Sequence, residues 1–447
     1  MAFTRLRMDE LVNAWIGDRF TPFQLGLLAV FEPGPFALPS GSVDTALVAH
    51  ELSVRALSVP ELGRRVHWTG PGEGAPVWVD VADDVVTRRV GTTWVSPGTD
   101  LPTWASNRAI LRLDRDLPLW RAEVVDGLPD GRFAILVVVH HVLADGMEGM
   151  RLLASLLDAD ADVVREEPPV RIPASPPTRL DLVRDRMPSW RGGARGRRHQ
   201  PAGWSPGEPR MALREYRESM AAFTAPRPRT SLPRAVGPTR RMAVASADLG
   251  ALSRLGHRRG ATVNDLLLAA VTQGLRDLLT VRAECRAGLF VRTILPVAGA
   301  STRQVASMMV VDLPVGEPDP ARRLATIVER TSARKARLQA TGGSGPHLLA
   351  LPIPVARILI PWARRRGSRM IDLSVTNVPG PVAPLWFAGA QMVEAWPIAP
   401  LVPLVGLTVA ALSYNGRLVV TVNADGAVRD VDVLGDGIAS ALAVPAD

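Results

Sequence analysis

The sequence predicts an α/β (α+β) protein of two halves joined by a long crossover linker, and three observations predict it. Residues 1–162 alternate short apolar, β-branched runs with segments of helical period. Residues 163–239 shift to proline, arginine and glycine, as in PPVRIPASPP and RGGARGRRHQPAGW, the composition of an exposed linker. From residue 240 to 447 the alternation of strand and helix patterns returns. A chain of 447 residues, 47% hydrophobic and 21% charged, has room for about two to three domains of roughly 150 residues each, with real cores.

In the first half, Leu25–Phe31 and Arg132–His140 read as buried strands bounded by Pro and Gly, and Ser42–Leu62 reads as helical. After the second strand, Met147, Met150, Leu152 or Leu153, and Leu156 or Leu157 fall on one face of a helix spanning Met147–Leu157. The second half opens with an alternating strand, RRMAVASADL, followed by a helix over Val263–Leu279 capped by Thr262 or Asn264. Strand patterns follow at Leu289–Leu295, Val305–Leu313, Met392–Ala395, Gly406–Tyr414 and Leu418–Ala424. Between the last two, Tyr414-Asn415-Gly416-Arg417 predicts a hairpin, because Asn-Gly suits the positive φ angles of a type I′ turn.

The net charge is +8, and of 52 basic residues only Lys335 is a lysine. Arginine's planar fork suits phosphate groups and anionic surfaces, while no zinc-finger, RNP-like or helix-turn-helix pattern points to nucleic acid. The lone cysteine, Cys285, excludes an internal disulfide framework and a multi-cysteine metal site. The N-terminal residues lack an apolar signal core and no window holds 18 uncharged apolar residues, so the expected location is cytoplasmic, at most attached to a membrane.

The densest polar cluster is His140-His141-Val142-Leu143-Ala144-Asp145-Gly146, where a buried strand opens into a loop. Neighbouring strand residues face opposite ways, so the two histidines do not easily share a metal ion; one faces a pocket and the other faces packing. No metal is expected. Gly203-Trp204-Ser205-Pro206-Gly207 matches a hydrolase G-x-S-x-G pattern but lies in the linker, and Pro206 lacks the backbone N–H that such an elbow uses as oxyanion donor. A histidine with no protein nucleophile beside it suits general-base catalysis, in which His141 takes a proton from a substrate hydroxyl, amine or thiol.

The string HHVLADG, preceded by Pro118-Leu119-Trp120, resembles the bacterial wax ester synthase/acyl-CoA:diacylglycerol acyltransferases. These are a branch of the superfamily that includes chloramphenicol acetyltransferase and peptide-synthetase condensation domains. The likeness continues through Val263-Asn264-Asp265, VASMMVVDLPVGEPDPARRL (Val305–Leu324), Thr376-Asn377-Val378-Pro379-Gly380-Pro381 and Ser413-Tyr414-Asn415-Gly416. It implies two chloramphenicol-acetyltransferase-like halves, 1–162 and 240–447, around the linker 163–239. It also implies acyl-CoA as co-substrate with no tightly bound cofactor, and diacylglycerol or a fatty alcohol as acceptor.

By the same resemblance His141 is the base and His140 its neighbour in the motif. Asp145 is a structural carboxylate shaping the loop, and Gly146 permits its turn. Asn264 and Asp265 are paired polar residues supporting the site from the other half, although as a helix cap they need no further role. Asn264 and backbone N–H groups are candidates for oxyanion donors, and Asn377 marks a turn near the acyl channel. Departures from the family pattern stand at Thr376, Met147-Glu148-Gly149, Pro233–Arg241, Thr302-Arg303-Gln304 and Met8-Asp9, and bear on substrate preference. Leu348–Trp362 with Arg364, Arg365 and Arg366 reads either as core or as a contact with a membrane or lipid droplet. Two other functions fit the motif: a condensation-like acyltransferase with an amine or alcohol acceptor, and a catalytically silent lipid-binding protein of the same fold.

Overall fold

The computed structural model describes residues 3–70, 72–143, 146–163, 165–166, 168, 170–171, 173, 175–186, 226–232, 235–297, 307–340 and 370–443. In chain order the strands of the first part are β1 Gln24–Phe31, β2 Arg64–His67, β3 Val77–Asp80, β4 Val90–Trp94, β5 Trp120–Asp126 and β6 Phe133–His140. Its helices are α1 Met8–Ile16, α2 Thr45–Leu57, α3 Asp83–Thr87, α4 Leu101–Ala109, α5 Gly146–Ser155 and α6 Arg179–Arg186. Beyond residue 239 come β7 Arg240–Asp248, β8 Val291–Val297, β9 Ser307–Leu313, β10 Leu373–Val378, β11 Trp386–Phe387, β12 Ala390–Ile398, β13 Leu407–Tyr414 and β14 Arg417–Asp425. With them are α7 Leu249–Arg258, α8 Val263–Val281, α9 Pro320–Ala340 and α10 Val431–Leu442.

Two six-stranded mixed sheets carry the fold, in the orders β11-β12-β1-β6-β5-β4 and β7-β14-β13-β10-β8-β9. The apolar run of β6 has a physical cause: both faces of the sheet are covered, so nothing on it can be polar. Phe133, Ile135, Val137 and Val139 pack with Val48, Leu52 and Ala56 of α2 and Leu152, Leu153 and Leu156 beside or within α5. Ala134, Leu136 and Val138 pack with Ala105 and Ala109 of α4 and Met242 of β7. The strand thus has helices of the first half on both faces, with β7 of the second half packed onto one of them.

The stretch 240–447 does not keep to its own sheet. β12 pairs antiparallel with β1, Gly26 opposite Ile398, and so extends the first sheet. Tyr414, at the end of β13, reaches into the first core, donating its hydroxyl proton to the Met392 carbonyl at 2.8 Å and accepting from the Leu385 N–H at 2.9 Å. A buried polar seam holds the halves together elsewhere. Asn107 and Arg240 exchange two hydrogen bonds of 2.9 Å, and Ser106 bonds Asn423 at 2.6 Å.

The hairpin after Tyr414 forms as its sequence requires: Asn415 and Gly416 have φ of 44° and 76°, and Tyr414 lies opposite Arg417. Its flank also fixes the turn that follows β10. The Gly380 N–H donates to the Ser413 hydroxyl at 3.1 Å, and a Cβ on Gly380 would fall 2.2 Å from the Ser413 carbonyl oxygen. Because backbone opposes backbone there, Gly380→Ala is expected to lower stability by about 1–3 kcal/mol, as overpacking does. A thermal melt checks it; an unchanged midpoint would mean the turn moves freely.

Candidate functional site

β6, an interior strand of the first sheet, ends at His140, so the histidine pair stands at its C-terminal end, where the chain turns away. The His140 N–H bonds the Leu119 carbonyl, and the His141 N–H bonds the Phe23 carbonyl at 2.9 Å. A turn closes with the Leu143 N–H on the His140 carbonyl at 2.8 Å. The two rings go to different surroundings, as strand alternation requires. His141 lies flat against Phe23, ring centroids 4.4 Å apart and planes within 16°, while the Asn13 side chain of α1 donates to its carbonyl at 3.1 Å. His140 lines a small cleft with Phe23, Trp68, Arg112 and Arg115.

The His140 pKa falls from 6.5 to about 3, first through desolvation and then through the positive charges of His141, Arg115 and Arg112. Its Nδ1 accepts the Val142 N–H at 3.2 Å, which leaves the proton on Nε2. His140 is therefore a neutral ring that braces the turn.

Gly146 is the first residue of α5, while Asp145 and Ala144 lie outside the described residues, as do the G-x-S-x-G match and Leu348–Trp362 with its arginines. Trp120 is wholly buried and donates Nε1–H to the Leu62 carbonyl at 2.8 Å. Pro118 is also buried, and its carbonyl accepts the Trp120 N–H at 2.8 Å.

On α8, Asn264 is half-buried in the first turn. Its neighbour Asp265 is buried and accepts from the Thr262 N–H, the Thr262 hydroxyl and the Thr331 hydroxyl of α9. Burial opposes that carboxylate's charge, but these hydrogen bonds and the Lys335 charge outweigh it and hold the pKa below its usual value. Thr262 in turn takes the Asp265 N–H, a reciprocal capping box. The structure thus gives Asp265 a cap and a helix-to-helix tie. Asn377 is half-buried near the end of β10, opposite Ala411 of β13.

Residues 8–267 match the wax ester synthase/diacylglycerol acyltransferase catalytic domain, and residues 305–444 match the C-terminal domain of the same family. The chain belongs to this family. It is an acyltransferase. A Mycobacterium tuberculosis protein named probable diacylglycerol O-acyltransferase tgs1 is 29% identical over 441 residues, covering 95% of this chain and 92% of that protein. The structure of the wax ester synthase/diacylglycerol acyltransferase from Marinobacter aquaeolei VT8 superposes with a TM-score of 0.70 at 21% identity, over 98% of both chains. Trichothecene 15-O-acetyltransferase from Fusarium sporotrichioides shares the fold, with a TM-score of 0.61 at 11% identity over 98% of this chain and 94% of that one. Both confirm the two-part α/β architecture expected from the motifs.

Asn13 and Phe23 escaped the sequence reading of this acyltransferase, because they contact a motif more than a hundred residues away and neither stands in a recognisable pattern. Arg112 and Arg115 were hidden among many arginines. The His140 shift has a measurable consequence. Its folded pKa lies below the unfolded value of about 6.5, so the unfolded chain takes the proton first and stability falls as pH drops below that value, until about pH 3. The slope reaches at most about 1.4 kcal/mol per pH unit. Urea midpoints measured across this range for the native protein and His140→Gln are expected to show the slope reduced in the variant; identical slopes would refute it.

Proposed function

We propose that this chain transfers a long-chain fatty acyl group from acyl-CoA to diacylglycerol or a fatty alcohol, giving triacylglycerol or wax ester, with His141 as general base. The observation that carries the reading is the His141 ring, held by Phe23 and by the Asn13 anchor at the mouth of β6, within the catalytic-domain match. His141 takes the proton of the acceptor hydroxyl as its oxygen attacks the thioester carbonyl. The tetrahedral oxyanion needs donors, for which Asn264 and backbone N–H groups are the candidates. Collapse breaks the carbon–sulfur bond, and the imidazolium returns its proton to the leaving CoA thiolate. Asp145 shapes the loop and Gly146 permits its turn.

No step calls for a metal or a bound cofactor. The substrates partition into lipid, so the protein works from the cytoplasm as a peripheral enzyme at a membrane or droplet surface; among the described residues no helix is long and apolar enough to span a bilayer.

Purified protein given labelled palmitoyl-CoA and separate acceptors tests this reading. Labelled triacylglycerol or wax ester with equal release of CoA thiol is expected. Transfer to amines alone would favour a condensation-like enzyme. Lipid binding without any transfer would mark a silent lipid-binding protein.

A further inference from the structure

The cleft behind the motif turn has a chemistry that acyl transfer does not use. It offers about 40 Å³, room for about three water-sized groups and so for the outward oxygens of one phosphate. Arg115 lies with its guanidinium 4.4 Å from the centre of the Trp68 ring, and Trp68 returns an Nε1–H bond to the Arg115 carbonyl at 3.3 Å. Arg112 lines the same cleft, close enough to depress the pKa of Arg115 after desolvation has done so. Neither arginine forms an ion pair with a carboxylate among the described residues. Two like charges are thus held together beside a neutral imidazole whose free ring nitrogen carries a proton. The one acid lining the cleft is Asp18, whose Oδ1 accepts from the N–H groups of Phe20 and Thr21 and from the Thr21 hydroxyl, within its own loop.

Two exposed apolar residues stand in sequence beside residues that line the cleft, Phe20 between Asp18 and Pro22 and Leu111 before Arg112. Phe20 is 36% exposed with Arg19 over its ring at 5.3 Å, and Leu111, beside Arg112, is 45% exposed. Exposed apolar side chains interleaved with arginine are the composition of a surface that rests on anionic lipid.

We propose that the Arg112, Arg115, Trp68 and His140 cleft binds the phosphate of an anionic phospholipid headgroup, with Phe20 and Leu111 entering the lipid beside it. A free phosphate ion would give those two apolar residues no partner. The phosphates of acyl-CoA are excluded by reach, since the whole pantetheine arm separates them from the thioester whereas this cleft shares the motif turn. The membrane contact therefore lies beside the motif turn that carries His141, and only its bearing on a lipid acceptor rests on the proposed function.

Co-sedimentation of the full chain with vesicles, in the absence of any acyl donor, tests the site apart from catalysis. The native protein is expected to bind phosphatidylglycerol-containing vesicles and to bind pure phosphatidylcholine much less. Arg112→Gln with Arg115→Gln is expected to weaken the anionic binding about thirtyfold, two basic residues acting at a charged surface. Phe20→Ser with Leu111→Ser should weaken binding to both vesicle types, and circular dichroism checks that each variant is folded. Equal binding by the arginine variant overturns the proposal. So does full competition by inorganic phosphate together with native-like binding of the Phe20→Ser/Leu111→Ser variant, which would mark a site for the free ion.

Discussion

Replacing His141 by alanine is expected to leave a folded protein whose acyl transfer falls by about 10²–10⁴-fold, the usual loss of a general base. The fold survives because the two hydrogen bonds that seat this residue are made by its backbone: its N–H to the Phe23 carbonyl and its carbonyl to Asn13. Alanine keeps both and removes only the ring. The loss should appear in kcat, with the apparent affinity for acyl-CoA little changed, since an imidazole that moves a proton contributes little to binding the ground state. Phe23→Leu offers a graded comparison. It removes the flat stacking surface while the imidazole stays, so its rate should fall less. Single-turnover rates with native-like circular dichroism decide the matter, and near-normal turnover in His141→Ala would remove the base from this residue.

The histidine motif, the apolar run before it and the Asn-Gly hairpin were legible because each is written locally. A strand buried on both faces must be apolar at every position, and a type I′ turn needs positive φ at two successive residues. The crossover of β12 was not legible. Met392–Ala395 reads as a strand whichever sheet it joins, and its pairing with β1 depends on surfaces brought together across more than 350 residues. Trp120 shows a second limit. Its place in Pro118-Leu119-Trp120 does not tell packing from ligand contact; the structure packs its ring away with its one polar atom satisfied by Leu62. At Asp265 the sequence pointed both to a helix cap and to support of the site; the structure shows the cap, with the hydroxyls of Thr262 and Thr331 on its carboxylate.

Asp158→Ala is expected to cost about 3–5 kcal/mol, the penalty for leaving a buried cation without its partner. Asp158 and Arg55 are each 2% exposed and meet at 2.7 Å, with the Arg55 guanidinium 4.7 Å from the centre of the Phe387 ring. Arg55 also donates to the Leu156 carbonyl and pairs with Glu51 of its own helix. Asp158 accepts from Arg165 at 2.8 Å and from the Ala388 N–H at 3.1 Å, and its backbone exchanges hydrogen bonds with Trp386. One carboxylate therefore fastens α2, the segment after α5 and the β11–β12 turn that brings the second part of the chain onto the first sheet. Alanine leaves the Arg55 charge with Glu51 alone and takes the buried carboxylate from its Nη1 beside Phe387, where water cannot replace the lost oxygen. Removing the charge as well should relieve much of this, so Arg55→Met combined with Asp158→Ala is expected to be more stable than Asp158→Ala alone. Denaturant titrations of the three proteins measure the coupling. If Asp158→Ala lost less than about 1 kcal/mol, or the double variant were the weakest, the pair would contribute no more than an exposed salt bridge does.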